Sequence, residues 1–245
     1  MIRLIDLTKR FNKIMAVDHI NLEVKTGSVI AFLGPNGAGK TTTIKMMAGV
    51  LKPTQGKIIM NGIDLMEEPS RAKAIIGYIP DRPFIYEKLT GQEFLEFIAS
   101  LYNIKESRAM PRIEYLLDMF DLAEFKHELI ESYSHGMKQR LVMCSALIHE
   151  PDVFIIDEPM VGLDPKGARM VKKMFRDLAT QGKTIFISTH SLDVAEDVSD
   201  EIVIIDHGKV IAKGTMDRLR KRAGVDGDLE DIFLRLTGNE ISVPS

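Results

Sequence analysis

The chain has 245 residues, 45% apolar and 27% charged, a globular composition that fits one α/β domain or a large domain with a subdomain and a tail. Lys and Arg number 32 against 35 Asp and Glu, for a formal net charge of −3. A domain built to grip a nucleic-acid backbone carries a basic excess, so no nucleic-acid partner is expected.

The first residues, MIRLIDLTKRF, are charged at Arg3, Asp6 and Lys9 and lack the apolar centre of a signal peptide. No stretch approaches the ~18–20 apolar residues needed to cross a bilayer. A cytoplasmic chain is therefore expected, one that serves a membrane only through a partner. Residues 2–8 and 19–24 alternate apolar and polar positions as half-exposed strands do, and SVIAFL at 28–33 reads as a buried central strand. KIIMNGIDL at 57–65 predicts a hairpin turning at Asn61-Gly62. From Thr90 to His149 the pattern is helical. Thr90-Gly91-Gln92-Glu93 has the form of a capping box, and Phe94, Ile98, Leu101 and Tyr102 follow at helical spacing on one face. Cys144, the only cysteine, excludes an intrachain disulfide and reads as a small buried thiol within LVMCSAL. Strand character returns at 152–157, 184–188 and 201–206, and Val171, Met174, Phe175 and Leu178 mark an amphipathic helix between the first two. Strands alternating with crossover helices predict a largely parallel sheet, with a helical subdomain at about 82–149 set into it. Residues 1–214 form the main domain in this reading. Residues 215–245 are a tail whose stripe Leu229, Ile232, Phe233 and Leu236 docks a last helix on the domain.

Gly34-Pro35-Asn36-Gly37-Ala38-Gly39-Lys40-Thr41 satisfies G-x-x-x-x-G-K-[ST] in full, between a buried strand and a predicted helix. Glycines allow backbone N–H groups to turn inward around phosphate oxygens, and the helix N-terminus adds free donors and partial positive charge. Lys40 is expected to reach the β/γ-phosphates, Thr41 to ligate Mg²⁺ and Thr42 to touch the α-phosphate. Val153-Phe154-Ile155-Ile156-Asp157-Glu158 predicts a core strand whose acidic end emerges at the carboxyl edge of the sheet, where α/β folds bind ligands. Asp157 is expected to hold Mg²⁺ through water, and Glu158 to orient and polarise a water on the γ-phosphate.

Through these and the following motifs the chain resembles the ATP-binding cassette (ABC) family from about Ile2 to Gly214. Tyr133-Ser134-His135-Gly136-Met137-Lys138-Gln139-Arg140 resembles the family signature, whose usual core is LSGGQ. Glu158-Pro159, Gly162-Leu163-Asp164 and Ser188-Thr189-His190 follow in the family's order and resemble its catalytic glutamate, D-loop and switch histidine. Phe11 matches the aromatic that stacks on adenine. The implied fold is a P-loop NTPase with a largely parallel central sheet, an N-terminal antiparallel β subdomain and an inserted helical subdomain. The implied cofactors are ATP and Mg²⁺. The implied partners are a second cassette, packed head to tail so that Ser134, Gly136 and Asp164 act across the dimer, and a separately encoded permease. Ser134 also reads as the cap of the helix through Leu141 and Leu147.

The chain departs from the family at three points. Asp81 stands where a glutamine usually senses Mg²⁺ and the permease, His135 replaces the first signature glycine, and Met137 replaces the signature glutamine. GYIPDRPFIYEKLTGQEFLEFIASLY and LEDIFLRLTG are similar to bacterial exporter-type cassettes. Pro83, Phe84, Ile85 and Tyr86 form an apolar patch read either as the permease groove or as local core. The competing class, an ABC ATPase of DNA repair or chromosome organisation, calls for long coiled coils between phosphate loop and signature, and residues 42–132 hold no sustained heptads.

Overall fold

The computed structural model describes residues 1–82 and 84–238. The chain opens with β1 (Ile2–Phe11) and β2 (Ile14–Val24), then β3 (Val29–Leu33) and α1 (Lys40–Met47). β4 (Gln55–Met60), β5 (Ile63–Asp64), α2 (Pro69–Ala74) and β6 (Ile76–Ile79) follow. Three helices come next, α3 (Gly91–Leu101), α4 (Glu106–Met119) and α5 (His135–Leu147). The second half alternates: β7 (Val153–Asp157), α6 (Pro165–Thr180), β8 (Thr184–Thr189), α7 (Leu192–Val198), β9 (Glu201–Asp206) and β10 (Lys209–Gly214). It ends in α8 (Met216–Ala223) and α9 (Leu229–Thr237).

Two sheets result. An antiparallel one runs β2-β1-β4-β5, and a six-stranded one runs β10-β9-β3-β8-β7-β6, parallel except for the β9/β10 hairpin at its edge. The strands β3, β7 and β8 are buried at every position, as expected for a sheet covered on both faces. The period of two is visible in β7: Phe154 and Ile156 join the core under the helices, while Val153 and Ile155 join the core shared with the antiparallel sheet and α1. The Asn61-Gly62 turn has φ of 47° and 85°, the paired positive values of the tight hairpin turn that this dipeptide favours.

Thr90 and Glu93 close the capping box of α3 in both directions, at 3.2 and 2.8 Å. The buried face of α3 differs from the expected stripe. Phe94, Leu95 and Ala99 are buried and Ile98 packs beside them, whereas Leu101 and Tyr102 lie in the exposed last turn. Helical spacing alone gives a stripe wider than the face that α4 and α5 cover. β1 and β2 are likewise longer than the alternation indicated, meeting in a turn at Asn12-Lys13. In the tail, Leu229 and Ile232 are buried against Ile202, Ile204 and Leu219, with Phe233 and Leu236 packed at the margin. Cys144 is fully buried, and burial pushes its thiol well above the ordinary range.

Candidate functional site

The carboxyl ends of β3, β7 and β8 converge. β3 ends at Leu33, and the loop 34–39 turns directly into α1. Gly34 allows no side chain, because a Cβ there would lie 2.4 Å from the Ile205 carbonyl oxygen. Gly39, at φ 105°, has the Ala16 carbonyl oxygen equally close, so both ends of the loop demand glycine. Gly39 offers no side-chain cap to α1, and the amides of its first turn remain available to an anion.

Lys40 is the first residue of α1 and is only 8% exposed. Its Nζ donates to the Gly34 and Pro35 carbonyl oxygens at 2.6 and 3.1 Å, so the ammonium sits inside the loop. Burial lowers its pKa, and the nearby Glu158 and Asp157 carboxylates partly offset that.

Asp157 stays buried at the end of β7, with Glu158 as the residue that emerges. Parallel register places Asp157 opposite Ser188, whose hydroxyl donates to Asp157 Oδ1. Oδ2 is buried without a partner. Burial raises the Asp157 pKa against the lowering influence of the Ser188 and Thr41 hydroxyls. The same cluster, burial first and then the charges of Asp157 and Asp81, pushes the Tyr78 phenol up to about 12.

Glu158 adopts a left-handed backbone, φ 52°, held by its amide bonding the Ser188 carbonyl at 2.9 Å. This turn swings its side chain out of the strand line. Oε1 meets His190 Nδ1 at 2.8 Å, and Oε2 accepts from Thr189 Oγ1 at 3.3 Å.

A cleft of about 350 Å³ gathers these groups, lined among others by Asn36, Gly37, Gly39, Lys40, Thr41, Thr42, Asp81, Glu158 and His190. Gly34, Pro35 and Ala38 lie in the loop behind it. Phe11 is outside the lining, at the end of β1, a residue 44% exposed with Lys9 Nζ 5.1 Å from its ring centroid. Ala16, Ser188 and Thr189 complete the surroundings. Ala16 carries no sequence signal, whereas Ser188 and Thr189 are the two hydroxyls that end the apolar run Ile185–Ile187 of β8.

A second group lies apart from this cleft. Ser134 caps α5, accepting from the Met137 amide at 3.2 Å, and Asp164 caps α6, accepting from the Gly167 amide at 2.7 Å. The turn 158–163 joins them: the Gly162 carbonyl faces Gly136, and the His135 ring lies so close to Gly162 that a Cβ there would be 2.0 Å from Cδ2. None of Ser134, Gly136 and Asp164 lines the cleft.

The family model for ABC transporters matches residues 17–161. The daunorubicin resistance ATP-binding protein DrrA3 of Streptomyces coeruleorubidus is 38% identical over 230 residues, 94% of this chain and 72% of DrrA3. The chain spans 40% of the probable multidrug ABC transporter ATP-binding protein YbhF of Escherichia coli, at 35% identity over 94% of this chain, and 97% of the ABC transporter ATP-binding protein NatA of Bacillus subtilis, at 32% over 96%. A solved ATP-binding subunit of an ABC transporter superposes with a TM-score of 0.91 at 34% identity, covering 96% of this chain and 99% of the other. A dimeric ATP-binding cassette in a post-hydrolysis state with ADP and Pi gives 0.78 at 25% identity, covering 88% and 99%. The chain belongs to the ABC transporter family, as an ATP-binding and ATP-hydrolysing subunit. Among the described residues no helix is long and apolar enough to cross a membrane.

Proposed function

We propose that the chain drives a separately encoded permease that exports its cargo, from the cytoplasmic face of the membrane, with two cassettes closing head to tail over ATP. The observation that carries this reading is the separation of two half-sites. The phosphate loop, Asp81, Glu158 and His190 share one cleft, whereas the Ser134-capped end of α5 lies outside it. An uncapped helix start and a capped one, each with free amides, form a complete γ-phosphate cage only when a second copy supplies the missing half.

Within the cleft, Lys40 exchanges the Gly34 and Pro35 carbonyls for the β/γ-phosphates. Thr42 contacts the α-phosphate, and Phe11 offers its open ring to the adenine. The site suits Mg²⁺: the orphaned, buried Asp157 Oδ2 and the neighbouring Thr41 hydroxyl are hard oxygen donors, with Asp81 at the cleft wall. Mg²⁺ would be held by Thr41 and by Asp157 through water, with Asp81 as an outer ligand, and would neutralise phosphate charge. Glu158 orients and polarises the attacking water, His190 fixes the Glu158 carboxylate, and Ser134, Gly136 and Asp164 serve the partner's nucleotide.

The permease docks beside Asp81. Phe84 is 84% exposed, its ring edge-on to Tyr86 at 6.5 Å, and Tyr86 meets Phe97 at 5.5 Å, which makes an open aromatic strip. Ile85 packs inward on the helical core, and Pro83 lies outside the described residues. The deciding experiment measures ATP turnover of the chain with added DNA and, separately, reconstituted with its permease in lipid vesicles. Stimulation by the permease alone is expected, and stimulation by DNA alone would overturn the reading.

A further inference from the structure

Gln139 is 1% exposed, and both its Oε1 and Nε2 are buried without a hydrogen-bond partner. Native cores rarely leave one amide atom unpaired, let alone both ends of one carboxamide, and such a group in a folded protein calls for an explanation. The mechanism above makes no use of it.

Its position supplies one. Gln139 lies on α5 one turn beyond His135 and three residues beyond Gly136, the two residues that touch Gly162. Residues three and four apart share a helix face, and helical side chains lean toward the N-terminus. The Gln139 carboxamide therefore leans toward the turn 160–163. Met137, Met160 and Leu163 all pack against the core beneath the helices. That turn starts at Glu158 and is held by two long backbone bonds, Val161 to Glu158 and Leu163 to Met160, both 3.3 Å. The unpaired amide is a reserve of hydrogen bonds for the backbone of this turn.

We infer that Gln139 is a positioning residue: its buried carboxamide bonds the backbone of residues 160–163 when ATP closes the site, fixing the turn that sets Glu158. His135 assists from the other side, its ring bearing on Gly162. This rests on the head-to-tail reading above, because closure is what brings the turn onto Gln139. An amide kept unsatisfied for this purpose weakens the resting fold.

The test is Gln139→Leu, which keeps the volume and removes both polar atoms. Replacing an unsatisfied polar group by an apolar one of similar shape stabilises a core. The inference therefore predicts that the nucleotide-free variant melts roughly 2–4 °C higher. It also predicts that kcat falls about tenfold while KM for ATP stays unchanged, since the bond forms only after binding. A lower melting temperature with lower kcat would make Gln139 a structural residue, and a raised melting temperature with unchanged kcat would make it inert. Either result overturns the inference. Gln139→Met, a second apolar replacement, must repeat the pattern. The parent reading is checked separately in Glu158→Gln, without touching Gln139. Failure of that variant to dimerise with ATP would sink the head-to-tail arrangement itself, whereas a normal dimer with no Gln139 effect on kcat would sink only the present inference.

Discussion

His190 Nδ1 shares a 2.8 Å hydrogen bond with Glu158 Oε1, across a gap of 32 positions in the chain. An ionised carboxylate only accepts, so Nδ1 carries the proton and a neutral ring keeps its lone pair on Nε2. With Thr189 on the other oxygen, each oxygen of Glu158 accepts one hydrogen bond and keeps a further lone pair for water. A carboxylate oriented in this way presents a fixed geometry to a water, which a free side chain on a left-handed turn would not.

Glu158→Gln keeps shape and burial but removes the base. Turnover is expected to fall by a hundredfold or more, roughly the share a general base contributes, with ATP affinity unchanged. Single-turnover kinetics beside equilibrium nucleotide binding checks this. Ordinary multiple turnover would remove Glu158 from the mechanism.

His190→Ala releases one oxygen of Glu158, and about a tenfold loss in kcat is expected. Groups that act as one unit are not additive, so His190→Ala added to Glu158→Gln is expected to cost nothing further. Multiplying losses in the double variant would show that the two residues act separately.

Lys40→Ala deletes the buried ammonium that faces the loop carbonyls. The ATP dissociation constant is expected to rise by roughly ten- to a hundredfold, the worth of a charge-assisted contact. Calorimetric titration measures it, and an unchanged constant would count against the phosphate contact.

Asp157 carries a stability signature in the metal-free chain. Burial holds its folded pKa above the ordinary aspartate value of 3.8, so the folded state keeps the proton to higher pH than the unfolded one. The stability it contributes is full below the unfolded pKa and is lost as pH rises through the folded pKa. At neutral pH the ionised, half-satisfied carboxylate is a burden. Asp157→Asn is expected to melt roughly 2–4 °C higher in chelator at pH 7, with the gain shrinking toward acid pH. Taking the difference between variant and parent cancels the carboxylates of Asp18, Glu87, Glu93 and Asp121, whose pKa values shift downward. A lower melting temperature for Asp157→Asn at every pH would contradict this assignment.

Asp81→Ala tests the least usual member of the cleft. The Mg²⁺ concentration for half-maximal hydrolysis is expected to rise about tenfold or more, as loss of an outer ligand does. An unaltered Mg²⁺ dependence would leave Asp81 as a contact to the permease at most.

What was legible in the sequence was local. The phosphate loop is eight consecutive residues, and the caps of Thr90 and Ser134 act over three positions, so spacing and side-chain chemistry suffice to read them. The Asp157-Glu158 pair announces itself by ending an apolar run. The unread features are long-range. Ser188 reaches Asp157 only because β7 and β8 pair in parallel, 31 positions apart, and no local pattern encodes that register. Asp164 shows the opposite difficulty: the resemblance offered a role across the dimer, while within the chain its carboxylate is engaged as the cap of α6. Leu101 and Tyr102 fit a helical stripe, yet burial depends on which face the neighbouring helices reach. Gln139 falls inside the stretch that resembles the family signature, but its burial without partners gave no signal, since an unpaired amide is visible only once the core around it is built.

The central claim is that ATP binds two copies of the chain together through the Ser134 end of α5. Sedimentation of Glu158→Gln with and without saturating ATP tests it most directly, compared with Glu158→Gln carrying Ser134→Arg, which obstructs that end. The account predicts an ATP-dependent dimer in the first and a monomer that still binds ATP in the second. A Glu158→Gln chain that remains monomeric at saturating ATP, or one that dimerises equally well with Ser134→Arg, would contradict it.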